Sequence, residues 1–221
     1  MARLLVFVEG HTEAAFVDEV LQPHLVASGY HQVSARLLGS AMQNTHRGGI
    51  RSWSQVRRDL SRKLLEDRTG LVTTMVDYYR LPADWPGRGT SATPSEIQFR
   101  LHADMAAQLN SAFDAGRFLP FVVMHEFEGL LFSDCTAFSR TIGRADLETE
   151  FRKIRDAFPT PEDINDSPST APSKRILNLS PRYKKLDGVA AANAIGLDRI
   201  RKECPHFASW LDRLEALVSK E

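Results

Sequence analysis

LLVFVEGHTE, residues 4–13, decides how the rest of the chain reads. Its first half is an apolar run rich in β-branched and aromatic side chains, the composition of a buried strand. The run breaks at Gly10. An apolar stripe at helical spacing then begins at once, through Phe16, Val17, Val20, Leu21 and Leu25. That order predicts a strand, a tight turn and a helix over residues 12–26, with Thr12 as its N-cap and Glu13 well placed for the helix dipole. Pro23 predicts a kink or a restart inside it. Glu9 stands where the strand ends. A carboxylate at the end of a buried strand is costly unless it is paired or binds something.

Working outward, a second strand is expected at 33–38, ending at Gly39-Ser40, then a polar, locally basic loop at 44–51. A helix over 52–66 carries Trp53, Val56, Leu60, Leu64 and Leu65 on one side. The next strand, 70–79, has the core LVTTMV and ends at Asp77. Residues 80–94, rich in Pro and Gly, read as a surface loop or lid. A helix over 95–113, capped by Ser95, leads to an apolar strand at 118–124 that runs into His125-Glu126-Phe127-Glu128. Residues 129–132 start a helix or another short strand. Beyond 132 no long strand is expected, only helices at 145–157 and 197–218 around a Pro- and Ser-rich linker at 159–172. Alternation of strand and helix predicts an α/β fold with a mostly parallel sheet flanked by helices. Residues 1–135 would form the core, and 136–221 a helical extension packed on it.

With 221 residues, 43% hydrophobic and 25% charged, the chain has the makeup of a globular protein with one sizeable core. Lys+Arg and Asp+Glu are both 28, which argues against a uniformly basic polyanion binder but leaves room for a local basic groove. No run approaches the ~20 apolar residues of a membrane span, and the apolar stretch before Glu9 is too short for a secretory signal. Cys135 and Cys204 lack metal-type spacing. A cytoplasmic protein with reduced thiols is expected.

Three expected strands end in acids: Glu9, Asp77, and Glu126 with Glu128. In open α/β sheets ligands bind beyond the carboxyl ends of the strands. Singly, each acid reads equally well as a solvated or capping carboxylate; the repetition favours a shared site. Carboxylates gathered there call for a hard cation, Mg²⁺ or Mn²⁺, of the kind that stabilises charge on a phosphoryl group. Glu126 and Glu128 share a face only in extended chain, so the spacing leaves open which of them turns inward. His125-Glu126 is not a zinc-protease motif, because Gly129 stands where the second His is needed. No nucleotide-binding glycine motif is present either. Candidate phosphate contacts are Arg47, Arg51, Lys174 and Arg175, with Arg182, Lys184 and Lys185 as a further basic group. Ser173 reads as the cap of a helix whose first turn carries Lys174 and Arg175 against the dipole preference, as an anionic partner would favour. Tyr78, Tyr79 and Trp85 are candidates for base stacking.

VEGHTE (8–13), VDYY (76–79) with the following Leu81-Pro82 and Trp85-Pro86-Gly87, HEFEGLLFS (125–133) and PSKR (172–175) together resemble the bacterial domain-of-unknown-function family 4276. That family is related to the Toprim fold of topoisomerases, primases and overcoming-lysogenization-defect (OLD) nucleases. The resemblance implies a Toprim-like core and a metal-dependent nuclease acting on DNA or RNA. It assigns Glu9 to metal binding or acid/base work and Asp77 to the first position of a metal-binding Asp-x-Asp. Tyr79 stands at the second position, so either Glu126 or Glu128 supplies the missing carboxylate or a single metal binds. Glu13 resembles an extra acid of the nuclease branch, as ligand or base. Lys174 and Arg175 would hold the scissile strand. Family members are often encoded beside an ATPase, which implies an ATPase partner and a role in phage defence. The competing expectation is a non-catalytic Toprim-like module that docks such a partner.

Overall fold

The computed structural model describes residues 2–38, 50–109, 114–165 and 167–218. Its centre is a five-stranded parallel sheet: β1 (Arg3–Val8), β2 (Gln32–Leu37), β3 (Leu71–Asp77), β4 (Phe118–Leu119) and β5 (Val122–Val123). The order is β2-β1-β3-β4, and β5 also pairs with β3. Parallel strands need crossovers, and helices α1 (His11–Phe16), α2 (Gln22–Ala27), α3 (Trp53–Glu66) and α4 (Pro94–Leu109) supply them. Both faces of the sheet are buried, so the strands read as near-continuous apolar runs. Leu4, Val6, Val8 and Met75 pack with Phe16, Val20 and Leu25 on one face. Phe7, Val72 and Val76 pack with Val56 and Leu60 of α3 and Ile97 and Leu101 of α4 on the other.

Two prolines shape this frame. Pro23 does restart the first helix: α1 widens into a π-turn over Val17–Leu21 before α2 begins. The wider turn makes room for a residue that cannot donate to the preceding carbonyl. Pro120, which cannot extend a ladder, splits the expected 118–124 strand into β4 and β5. Thr74 bridges the gap, its hydroxyl donating to the Phe121 carbonyl at 2.9 Å and accepting from the Phe121 N–H at 2.9 Å.

Several caps differ from expectation. Gly10, not Thr12, precedes α1, and Thr12 is buried in its first turn. Thr93, not Ser95, caps α4: its N–H and hydroxyl donate to Glu96 at 2.7 and 3.0 Å, and the Glu96 N–H donates back at 3.3 Å.

Residues 127–133 form a 3₁₀ helix, Phe127–Ser133. Helices α5 (Cys135–Thr141), α6 (Glu148–Asp156), α7 (Pro172–Leu179), α8 (Lys185–Ile195), α9 (Leu197–Glu203) and α10 (Pro205–Val218) follow. Their Phe138, Phe151, Ile176, Ala192, Ile200, Phe207, Trp210 and Leu214 belong to the same apolar cluster as β1 and α1. The Pro- and Ser-rich stretch is tied down rather than loose. Ile164 is buried, and Glu162 accepts the His206 and Phe207 N–H groups at 2.8 and 2.9 Å, satisfying the start of α10. Among the described residues no helix is long and apolar enough to cross a membrane.

Candidate active site

Because every strand runs the same way, β1 and β3 deliver their carboxyl ends side by side. Val8 pairs with Met75. One step further, Glu9 leaves the sheet level with Val76, next to Asp77, the last residue of β3. On its other side Asp77 pairs with Val123 of β5. The chain then turns, and the Phe127 N–H donates to Asp77 Oδ1 at 2.8 Å. That bond seats the 3₁₀ turn under the sheet edge and carries Glu128 inward, to 1% exposure. Glu13, on the first turn of α1, is also buried, and a Cβ on Gly10 would come within 3.0 Å of its Oε2. Glycine is what lets that carboxylate fold back over the turn.

Glu9, Glu13, Asp77 and Glu128 therefore meet. Burial pushes Glu9 up to about 7, with Glu13 and Glu128 adding to the rise and Arg80 and Lys185 opposing it. Asp77 lies well above the usual carboxylate range, through burial first and then the charges of Glu13, Glu128 and Glu9. Glu128 is raised by burial more than Lys185 lowers it. Among the described residues, Glu9 Oε2 and both carboxylate oxygens of Glu128 are buried without a hydrogen-bond partner.

Two cations rim these acids. Arg80 Nε lies 3.5 Å from Glu9 Oε1 and Lys185 Nζ 3.7 Å from Glu128 Oε1. Their side chains are 50% and 48% exposed, against 10% for Glu9 and 1% for Glu128. The floor is acidic and closed, and the rim basic and open. Burial pushes the Lys185 ammonium down, but Glu128, Asp77 and Glu13 outweigh it and leave the pKa above the ordinary lysine value. Lys185 reaches Glu128 because α8 lies close to the 127–133 turn at Gly188, where a Cβ would strike the Tyr183 hydroxyl at 2.5 Å and approach Leu131 at 3.4 Å.

Glu126 and Glu128 are placed differently, Glu128 buried beside Asp77 and Glu126 turned toward α7. Glu126 Oε2 accepts the Ser173 N–H at 2.9 Å and serves the N-terminus of α7. Ser173 is not that helix's cap; Ala171 holds the position, with no side-chain cap bond. Replacing Glu126 by Ala is expected to cost about 1 kcal/mol as a lost cap and to leave divalent-ion binding in place. Thermal melts with and without Mn²⁺ check both halves, and loss of the Mn²⁺-induced shift would put Glu126 back among the ligands.

The other expected contacts are more dispersed. Arg175 donates to the Thr170 carbonyl at 2.7 Å and lies over the Phe158 ring at 5.2 Å, while Lys174 is exposed. Among the described residues, the cations that act on the acids are Arg80 and Lys185. Arg51 sits at the same sheet edge, just before α3, and its carbonyl accepts from Trp85 Nε1 at 3.0 Å. Arg47 lies outside the described residues. Trp85 is not a stacking surface: it is 2% exposed and packs on Trp53 with ring centroids 5.0 Å apart. Tyr79, at the second motif position, places its hydroxyl on the Asn165 side chain. His125 packs against Tyr78 and Tyr79, with centroids at 5.8 and 5.3 Å, and burial holds its imidazole below the ordinary value.

Sequence reading passed over Arg80 as part of the lid and left Lys185 in a general basic group. Spacing carries no signal for either, since each reaches the site only through the fold. The cavity of about 450 Å³ between α4 and α10, lined by Gln98, Phe99, His102 and His206, contains none of the acids.

A hard cation suits the orphaned oxygens of Glu9 and Glu128, which have only charge to offer. Among the described residues, however, no three acids or histidines stand close enough to make a finished metal cage. These two facts agree for Mg²⁺, which is commonly held by one or two carboxylates with water and substrate oxygens completing its shell.

No curated protein and no solved structure matches the chain. The model of one family, the domain of unknown function DUF4276, matches residues 8–215, from the end of β1 into α10 and across every acid of the site. The chain belongs to the DUF4276 family.

Proposed function

We propose that the chain is a metal-dependent phosphodiesterase acting on nucleic acid, a nuclease of Toprim-like type. The observation that carries this reading is the acidic floor with unpartnered oxygens on Glu9 and Glu128, set beneath a rim formed by Arg80 and Lys185. Glu9 and Glu128 would hold Mg²⁺ or Mn²⁺ through their free oxygens, with Asp77 adding negative charge beside them. When bound, such an ion supplies charge neutralisation at a phosphoryl oxygen and a more acidic water. Arg80 and Lys185 hold the phosphate over the acids. Glu13 accepts the proton of the attacking water. The water oxygen bonds to phosphorus, the P–O ester bond breaks, and the departing oxygen takes a proton. An ATPase partner and a role in phage defence belong to the same proposal and rest on the family resemblance; a cytoplasmic location rests on Cys135 and Cys204 as free thiols.

A second reading has its own support. Lys185 already faces Glu128, and no three-ligand cage is formed among the described residues. Both suit a non-catalytic module that docks a partner ATPase. Plasmid, single-stranded DNA and tRNA incubated with Mg²⁺ or Mn²⁺, wild type beside Glu9→Ala, separate the two readings. The nuclease reading expects the variant to cut at least ~100-fold more slowly. Equal cutting by both would identify a contaminant, and no cutting together with no calorimetric Mn²⁺ binding would favour the docking module.

A further inference from the structure

The cations at the acid site differ from each other in a way that bears on how many metal ions it holds. Arg80 approaches from the lid that follows β3 and bears on Glu9. Lys185 approaches from the opposite wall, as the first residue of α8, and acts on Glu128, Asp77 and Glu13. A lysine at a helix N-terminus sits against the dipole, so its position is opposed by its own helix and favoured only by the acids it faces. Its ammonium is within ion-pair range of Glu128 yet too far to hydrogen-bond either buried oxygen, and neither has a hydrogen-bond partner among the described residues.

From this arrangement, and resting on the metal-dependent reading above, we infer that the site takes one divalent cation and that Lys185 is a fixed second cation in place of a second metal. The position of Lys185 carries this: its ammonium lies 3.7 Å from Glu128 Oε1, where a second cation beside that carboxylate would have to sit. Ligand supply agrees. Tyr79 stands on the strand end two residues beyond Asp77 and gives its hydroxyl to Asn165, and Glu126 serves α7, so neither contributes to a second ion. A phosphodiester, which carries a single negative charge, would suit a site in which Lys185 offers one cation beside the acids that would hold the metal.

The test is the number of Mn²⁺ ions bound, measured by calorimetry and by electron paramagnetic resonance on the folded chain at pH 8 without nucleic acid. Wild type and Lys185→Arg are expected to bind one ion, and Lys185→Glu two. Lys185→Met is expected to bind its one ion about tenfold more tightly, because a like charge has left. No ion in wild type would defeat the metal-dependent reading itself. Two ions in wild type would leave that reading intact and overturn the inference. One ion in wild type with no second site in Lys185→Glu would also overturn it. Should Lys185→Glu fail to fold, the Lys185→Met affinity decides: unchanged or weaker binding means that Lys185 only supports the structure.

Discussion

Asp77→Asn is expected to abolish metal-dependent cleavage and, at pH 8, to make the metal-free protein more stable. The two effects have one cause. Asp77 is 2% exposed, and its carboxyl is pushed up by burial and by Glu13, Glu128 and Glu9. A charge held there is opposed by its surroundings. Asparagine has the same shape and keeps an oxygen for the Phe127 N–H, so the turn that carries Glu128 stays seated. What disappears is one negative charge from a group that repels itself. The gain is expected to be on the order of 1–2 kcal/mol, a rise of roughly 2–4 °C per kcal/mol for a chain of this size. Activity is expected to fall by about 10³-fold or more, since a neutral amide neither neutralises a cation nor helps to fix it. Melting curves and cleavage rates on the same preparation check both. A variant that loses stability along with activity would mean that Asp77 serves the fold and not the site.

The second large effect is a loss of stability with rising pH when no metal is added. Burial raises Glu9 to about 7 from an ordinary 4.5, and raises Glu162 to about 7 against the two N–H donors that hold it down. A carboxyl whose pKa is higher folded than unfolded keeps its proton longer in the folded state. Its contribution is fully present below the ordinary value of 4.5 and is lost as pH climbs through about 7. Asp77 and Glu128 are raised too and add to the trend. Glu9 and Glu162 would each contribute on the order of 2 kcal/mol between pH 5 and pH 8. Millimolar Mg²⁺ or Mn²⁺ is expected to restore much of the loss at pH 8 and to do little at pH 5, where protons already occupy the acids. The part due to Glu162 is not restored, because that side chain serves α10. A melting temperature that is flat or rises over this range without metal would contradict the burial of these carboxyl groups.

Much of this site is legible along the chain. Strand-forming runs that stop at Glu9 and at Asp77, with helical patterns between them, are enough to place both acids on one edge of a parallel sheet. That follows from topology: parallel strands share a direction, so their last residues share an edge. Glu13 follows from Glu9, because the turn at Gly10 is short. The element boundaries were less legible where a side chain competes for the backbone, as with Thr93 and Glu96 at α4 or Pro120 between β4 and β5.

The sequence by itself determined the strand–helix alternation, the buried core on both sheet faces, and the gathering of Glu9, Glu13 and Asp77. Only the tertiary structure turned Glu128 inward and Glu126 toward α7, and brought in Arg80 and Lys185. The physical reason is that side-chain direction in a turn depends on how the turn is held. A hydrogen bond from Phe127 to Asp77, distant in sequence, sets the 3₁₀ helix that sends Glu128 inward and leaves Glu126 to α7. Lys185 likewise reaches Glu128 only because α8 packs closely at Gly188. Neither contact has a period or a motif; each exists only once the chain has closed on itself.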